Sequence, residues 1–248
     1  MTDNWKRIVR TMRTKEKHMK KTKYLAACIA AMMALLVMGC SSGDDDGHSI
    51  DYDAEKWAIA GTTLVRYTGA EEDVRIPDGV TVIGESAFTS RGGVVTSVTL
   101  PESVKIIEDS AFSGCARLAS VKMPAGLAML GERAFSGCTS LAEVKMPGSV
   151  KSIGERAFQN CTSLASVEIG DGVESIGNSA FYGCTSLASV TIPDSVKGIG
   201  GYAFFCESLK EVKYGGTEEQ WKQIDIDSSA FSSGVKITDK DGNVISNS

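Results

Sequence analysis

Between Ala134 and Val190 the apolar residues return at fixed places. In register the chain reads AFSGCTSLAEVKMPGSVKSIGER, then AFQNCTSLASVEIGDGVESIGNS, then AFYGCTSLASV. The unit is 23 residues long, A-F-x-x-C-x-x-L-x-x-V-x-(I/M)-P-x-x-V-x-x-I-G. Its few large apolar side chains gain less from burial than ordering the whole unit costs in backbone entropy. A lone unit therefore stays unfolded. Stacking is compulsory, and a repeat of this period stacks as a solenoid.

Each part of the unit predicts an element. Val121-Lys122-Met123, Val144-Lys145-Met146, Val167-Glu168-Ile169 and Val190-Thr191-Ile192 alternate in, out, in, as a half-buried strand does. Pro101, Pro124, Pro147, Gly170 and Pro193 end these strands. V-x-x-I-G predicts a short second extended segment, and A-F-x-x-C a single helical or 3₁₀ turn. At ~4.8 Å per rung the strands make a parallel sheet roughly 25–30 Å long.

Phe88, Phe112, Phe135, Phe158, Phe181 and Phe204 mark successive rungs. The first spacing is 24 residues and the next four are 23. The extra residue falls within Thr89–Val95, where Val95 takes the leucine place. Trp57, Leu64, Val65 and Tyr67 read as a cap over the first rung. After Val212 the pattern dissolves. A short helix over Glu218–Ile224 with Thr217 as N-cap, and a hairpin turning at Asp241-Gly242, read as a second cap.

Residues 1–39 are a different material. A basic run from Lys15 to Lys23 precedes an apolar run from Leu25 to Met38, the layout of a signal peptide and too short to span a bilayer as a helix. Met1 and Met19 both stand as possible starts. Val37-Met38-Gly39-Cys40 resembles a bacterial lipobox, which implies a lipid on Cys40; an ordinary cut near Gly39 is the alternative. The acidic SSGDDD run that follows resembles a surface-export signal of lipoproteins in some anaerobic bacteria, and is equally a solvated tether. The leader holds nine of the 26 basic and two of the 31 acidic residues, leaving 17 against 29, a net of −12. Such a surface repels nucleic acid and anionic headgroups.

Cys-x-x-Leu-x-x-Val-x-Ile-Pro with Ala-Phe and Ile-Gly resembles the BspA-like, or Treponema-type, leucine-rich repeat. YGGTEEQW resembles the cap often found after such arrays. The resemblance covers roughly residues 60–225. Departures are local: Arg91-Gly92 lack the cysteine, Glu108 replaces the glycine, and Phe204-Phe205-Cys206 is one residue short. The resemblance implies a right-handed leucine-rich-repeat solenoid: a parallel ladder of short strands, 3₁₀ or helical turns on the opposite side, and caps at both ends. The expected organisation is a lipoprotein signal peptide at 1–39 and an acidic tether at 40–53. Repeats with their N-terminal cap follow at 54–214, and a C-terminal cap at 215–248.

Little in the chain suggests catalysis. Beyond the leader the one histidine is His48, in the tether, so a Ser-His or Cys-His couple lacks its base. There is no H-E-x-x-H, G-x-S-x-G, phosphate-binding glycine loop or C-x-x-C. No cofactor and no metal is expected. The five repeat cysteines, Cys115, Cys138, Cys161, Cys184 and Cys206, lie near disulfide distance on adjacent rungs. Their odd number and parallel inward direction favour a column of buried thiols. Asp239–Asn243 resembles part of a calcium loop but lacks the distal glutamate, and reads as a hairpin turn.

Two surfaces remain as candidates for binding. One is the outward side of the strands: Ser120, Lys122, Glu143, Lys145, Ser166, Glu168, Ser189, Thr191, Glu211 and Lys213. The other follows the marker phenylalanine, where Thr89, Ser113, Ser136 and Gln159 give way to Tyr182 and Phe205, with Tyr202 and Trp221 expected nearby. Packing of these rings beneath the cap is the stronger expectation. The resemblance implies a monomeric, non-catalytic recognition or adhesion module, lipid-anchored on the bacterial outer membrane and exposed at the surface. Its ligand would be a host or matrix protein or another cell surface. The rival is an accessory glycan-binding lipoprotein of a nutrient-uptake system.

Overall fold

The computed structural model describes residues 56–245. The leader at 1–39, the lipid site at Cys40 and the tether at 40–53 lie outside these residues.

The V-x-x-I pieces form two-residue strands: β4 (Val82–Ile83), β6 (Ile106–Ile107), β8 (Met129–Leu130), β10 (Ser152–Ile153), β12 (Ser175–Ile176), β14 (Gly198–Ile199) and β16 (Asp225–Ile226). All pair in parallel, each isoleucine or leucine over the last, as in Ile153↔Ile176 and Ile176↔Ile199. An antiparallel hairpin of β1 (Trp57–Ala60) and β2 (Thr63–Tyr67) starts this sheet, and β2 hands on in parallel to β4. The result is the longest sheet among the described residues, nine strands of which eight are parallel rungs.

The L-x-x-V-x-(I/M) strands are longer but less continuous. β3 (Asp73–Arg75), β5 (Ser97–Thr99) and β7 (Ser120–Lys122) make one sheet. β9 (Glu143–Met146), β11 (Ser166–Ile169), β13 (Ser189–Ile192), β15 (Glu211–Tyr214) and β17 (Lys236–Thr238) make another. The single ladder expected from the sequence is thus interrupted between β7 and β9. There the Ala142 N–H reaches the Ala119 carbonyl at 3.4 Å, against 2.8 Å for Ala119 to Thr96 and 2.9 Å for Ala165 to Ala142.

The A-F-x-x-C segments are hydrogen-bonded turns, and only the first, Thr89–Arg91, is a 3₁₀ helix. A left-handed residue before each Ala-Phe is the reason. Ser86, Ser110, Arg133, Arg156, Ser179 and Tyr202 all have φ of 54–57°. Such a conformation costs a side chain about 1 kcal/mol and breaks a helix. It turns the amides along the solenoid axis instead. Ser110, Phe112 and Gly114 donate to the carbonyls of Glu132, Ala134 and Ser136 on the next rung at 2.8 Å, and later rungs repeat the pattern. The turn side is therefore a third ladder between rungs.

Inside, identical side chains stack in columns. Phe88, Phe112, Phe135, Phe158, Phe181 and Phe204 are fully buried, with centroids 4.6–5.4 Å apart along the row. Trp57 and Tyr67 extend the row at one end and Phe231 at the other. The cap reading of 215–248 placed Phe231 beyond the array. Instead β16, Phe231 and β17 form a further rung, with Ala230 and Phe231 in the Ala-Phe places. The irregularity that hid it is an insertion carrying the helix α1 (Glu218–Trp221), capped by Thr217 and Gln220 in a reciprocal capping box. The terminal turn is closed by the Thr238↔Val244 bridge and an Asp239–Asn243 hydrogen bond.

Candidate functional site

The alternation of the strands sends Val144, Met146, Val167, Ile169, Val190 and Ile192 inward and leaves their neighbours outside. Of the ten outward residues singled out from the sequence, nine are exposed and Glu211 is half-buried. Register brings them into two columns. Glu143 stands beside Ser166, and Ser189 beside Glu211. Lys145 stands beside Glu168, which stands beside Thr191, itself beside Lys213. Ser120 and Lys122 belong to the other sheet, across the interruption, beside Ser97 and Thr99.

Charges on this face partly answer each other. Lys145 Nζ lies 3.7 Å from Glu168 and Lys213 Nζ 3.7 Å from Glu211, both solvated pairs worth at most about 1 kcal/mol. The face is a mixed-charge surface rather than a patch of one sign. Towards its C-terminal end it dips into a depression of about 490 Å³, bordered by Thr191, Glu211, Lys213, Tyr214, Lys236, Thr238, Asp239 and Lys240. Lys236, Thr238 and Lys240 were missed by reasoning that ended the array at 214. The signal was present in Val235–Thr238, which repeats the apolar-polar-apolar alternation. Asp239 is occupied structurally: its Oδ1 accepts the N–H groups of Asp241 and Asn243, and the Asn243 side chain, with these bonds, holds its carboxyl below the usual range.

The aromatic residues divide. Tyr182, Tyr202 and Phe205 are exposed, so they do not pack beneath the cap. Tyr182 and Phe205 stack at 5.9 Å and 11°, and Tyr202 meets Phe205 edge-on at 5.8 Å. Trp221 leaves this group. It is buried in the cap, edge-on to Tyr214 at 5.1 Å and 6.2 Å from Phe231, because α1 folds its ring inward over the last rung.

The five cysteines are reduced and fully buried, each directed at the rung before. The thiols of Cys138, Cys161, Cys184 and Cys206 donate to the carbonyls of Phe112, Phe135, Phe158 and Phe181 at 3.1–3.3 Å. Burial pushes Cys115 and Cys161 up to about 12 and Cys138 in the same direction. The neighbouring Cys206 and burial together raise Cys184 as well. Thiols so placed are structural. Among the described residues no three His, Cys, Asp or Glu side chains converge in a metal-holding group.

Solved structures share this architecture. The crystal structure of T. pallidum leucine rich repeat protein (TpLRR) is 36% identical with a TM-score of 0.58, over 62% of this chain and 77% of that one. A leucine-rich repeat protein from Eubacterium ventriosum is 26% identical with a TM-score of 0.60, and the match covers 73% of this chain and 46% of that one. The pneumococcal vaccine antigen PcpA is 28% identical with a TM-score of 0.52, over 62% and 44% respectively. The match thus spans less than half of these last two. No curated protein matches the chain. The BspA type leucine rich repeat region matches in six copies across residues 66–156 and 138–241, and the chain belongs to that family.

Proposed function

We propose that this protein is a non-catalytic recognition module that binds a protein on a host, a matrix or another cell through the outward face of its longer strands. Leucine-rich repeats of this family suggest a protein-interaction module. The observation that carries the reading is the registered stripe from Glu143 to Lys236, exposed and mixed in charge, ending in the depression beside Lys213 and Lys240. Mixed polar faces with a local concavity suit protein contact, whereas nucleic acid would require a basic surface. Cys40, beyond the described residues, is the proposed lipid anchor that would hold the module at the outer-membrane surface.

The test has two arms. The protein is screened on arrays of host proteins, matrix proteins and glycans, and any ligand is re-measured with Lys145→Ala, Glu168→Ala and Lys213→Ala. Loss of binding in these variants, with salt sensitivity, supports the reading; a ligand indifferent to all three overturns it. Radiolabelled palmitate should enter the wild-type chain and not Cys40→Ala.

A further inference from the structure

The rungs are nearly identical inside and differ most at one place outside. The position after the marker phenylalanine holds Ser113, Ser136 and Gln159, then Tyr182 and Phe205, then Ser232. Nothing in the core calls for a ring there, since neighbouring rungs fold with serine. Yet Tyr182, Tyr202 and Phe205 lie together, 37%, 50% and 43% exposed. Exposed aromatic clusters of this kind mark contact surfaces.

Two carboxylates belong to or touch the segments that carry the rings, and Lys222, which borders a depression with Asp227, is paired with Glu218 at 2.9 Å. Glu207 is exposed and separated from Phe205 only by the inward Cys206. Asp227 lies against Gly201, the residue before Tyr202: a Cβ on Gly201 would stand 3.3 Å from its carboxyl carbon. The Asp227 Oδ1 accepts both Ser229 N–H and Oγ–H, and Oδ2 takes part in neither bond. The cation nearest in register, Arg156, sits two rungs before Tyr202 and is held by Glu155. Past Phe205 the column continues with the small Ser232, so a ring face is left uncrowded.

We infer that Tyr182, Tyr202 and Phe205, flanked by Glu207 and Asp227, form a docking site for a basic segment of a partner protein. Its cationic side chains lie on the rings and pair with the two carboxylates. Arginine fits best, because a planar guanidinium stacks on a ring while its N–H groups meet a carboxylate. The net −12 beyond residue 39 steers the same cations toward the molecule. This inference rests on the protein-recognition reading but uses the turn side instead of the strand face.

The experiment titrates fluorescent hexa-arginine into the full chain at about 0.15 M salt, with hexa-lysine and maltoheptaose as comparison probes. The variants are Tyr182→Ser, Phe205→Ser and Glu207→Gln, with Glu102→Gln, an exposed carboxylate of neither proposed site, as a control for general charge. Serine is what other rungs carry in this column, so the ring variants should keep the wild-type denaturation midpoint. Tyr182→Ser and Phe205→Ser should each weaken hexa-arginine binding about fivefold. Glu207→Gln should weaken it too, Glu102→Gln should not, and hexa-lysine should bind less tightly. Equal loss in Glu102→Gln would reduce the effect to diffuse charge and overturn the inference. Binding of maltoheptaose that the ring variants abolish would also overturn it, in favour of a neutral glycan. If hexa-arginine fails to bind the wild type, this site falls while the strand-face reading stands on its own variants.

Discussion

Phe231 lies over Phe204 with ring centroids 5.6 Å apart and planes 4° from parallel, so the aromatic row runs one rung past the point where the sequence pattern fades. Each interior ring supports two neighbours and the terminal one supports fewer. Phe158→Ala, in the central rung, should cost about 3–5 kcal/mol. Phe231→Ala, half-buried, should cost about 1–2 kcal/mol, while Lys145→Ala should stay within about 0.5 kcal/mol. Urea midpoints at unchanged slope give the order. A Phe231→Ala midpoint equal to wild type would show that the last rung is not stably docked.

Close approach of successive rungs makes a second prediction. A Cβ on Gly154 would stand 2.4 Å from the Gly131 carbonyl oxygen, a backbone atom that cannot step aside. Gly93 meets nothing within 4 Å. Gly154→Ala should therefore destabilise by about 1–3 kcal/mol through overpacking, and Gly93→Ala should be neutral within about 0.5 kcal/mol. Thermal melts of the two variants make the comparison, and equal behaviour would contradict the packing of the V-x-x-I-G sheet.

The cysteine column should resist alkylation. With iodoacetamide at pH 8, Cys138 and Cys161 should stay unmodified in the native protein and react within minutes in denaturant, read by mass. Burial raises both folded-state thiols above the unfolded value near 9, so the native column contributes stability in full below pH 9 and loses it as pH rises beyond, for Cys161 toward about 12. A mass two hydrogens light would establish a disulfide instead.

Acid should loosen the N-terminal cap. Glu71 pairs with Lys56 and accepts from the Tyr67 hydroxyl at 2.5 Å, and these two contacts hold its carboxyl down at about 2. Because the folded value is depressed, the contribution is whole above about pH 4.5 and fades as pH falls toward about 2. Amide exchange in Thr63–Tyr67 should rise over that window in the wild type. In Glu71→Gln it should already be raised at neutral pH and change less with acid; an identical profile would remove Glu71 from the account.

How much of this was legible in the sequence depends on which forces write letters. Columns that bury a side chain demand one kind of residue, so Phe, Cys, Leu and Val in register announced the solenoid and its inward face. The outward stripe followed from the same alternation. The left-handed residues before Ala-Phe left no trace, because Ser, Arg and Tyr all occupy that place and the conformation is imposed by hydrogen bonds to the next rung. The final rung was hidden by the α1 insertion, which stretches the Phe204 to Phe231 interval to 27 residues. Tyr182 and Phe205 were visible as exceptions, yet their exposure depended on where the cap lay, and only Trp221 was taken inside it.

The turn-side ladder has a polarity. Ser86, Ser110, Arg133, Arg156, Ser179 and Tyr202 all donate their N–H forward to the following rung. Peptide dipoles aligned in this way add, as they do along a helix, but here the unsatisfied N–H end lies at the C-terminus of the stack. Ser229 occupies the place of Tyr202 on the last rung, where an amide would look for a next rung. Its N–H is taken at 2.9 Å by the Asp227 carboxylate, which the Ser229 hydroxyl and amide hold below its usual range. A single acidic side chain thus terminates the row of dipoles as an N-cap terminates a helix, and the solenoid carries its electrostatic stop within its own last turn.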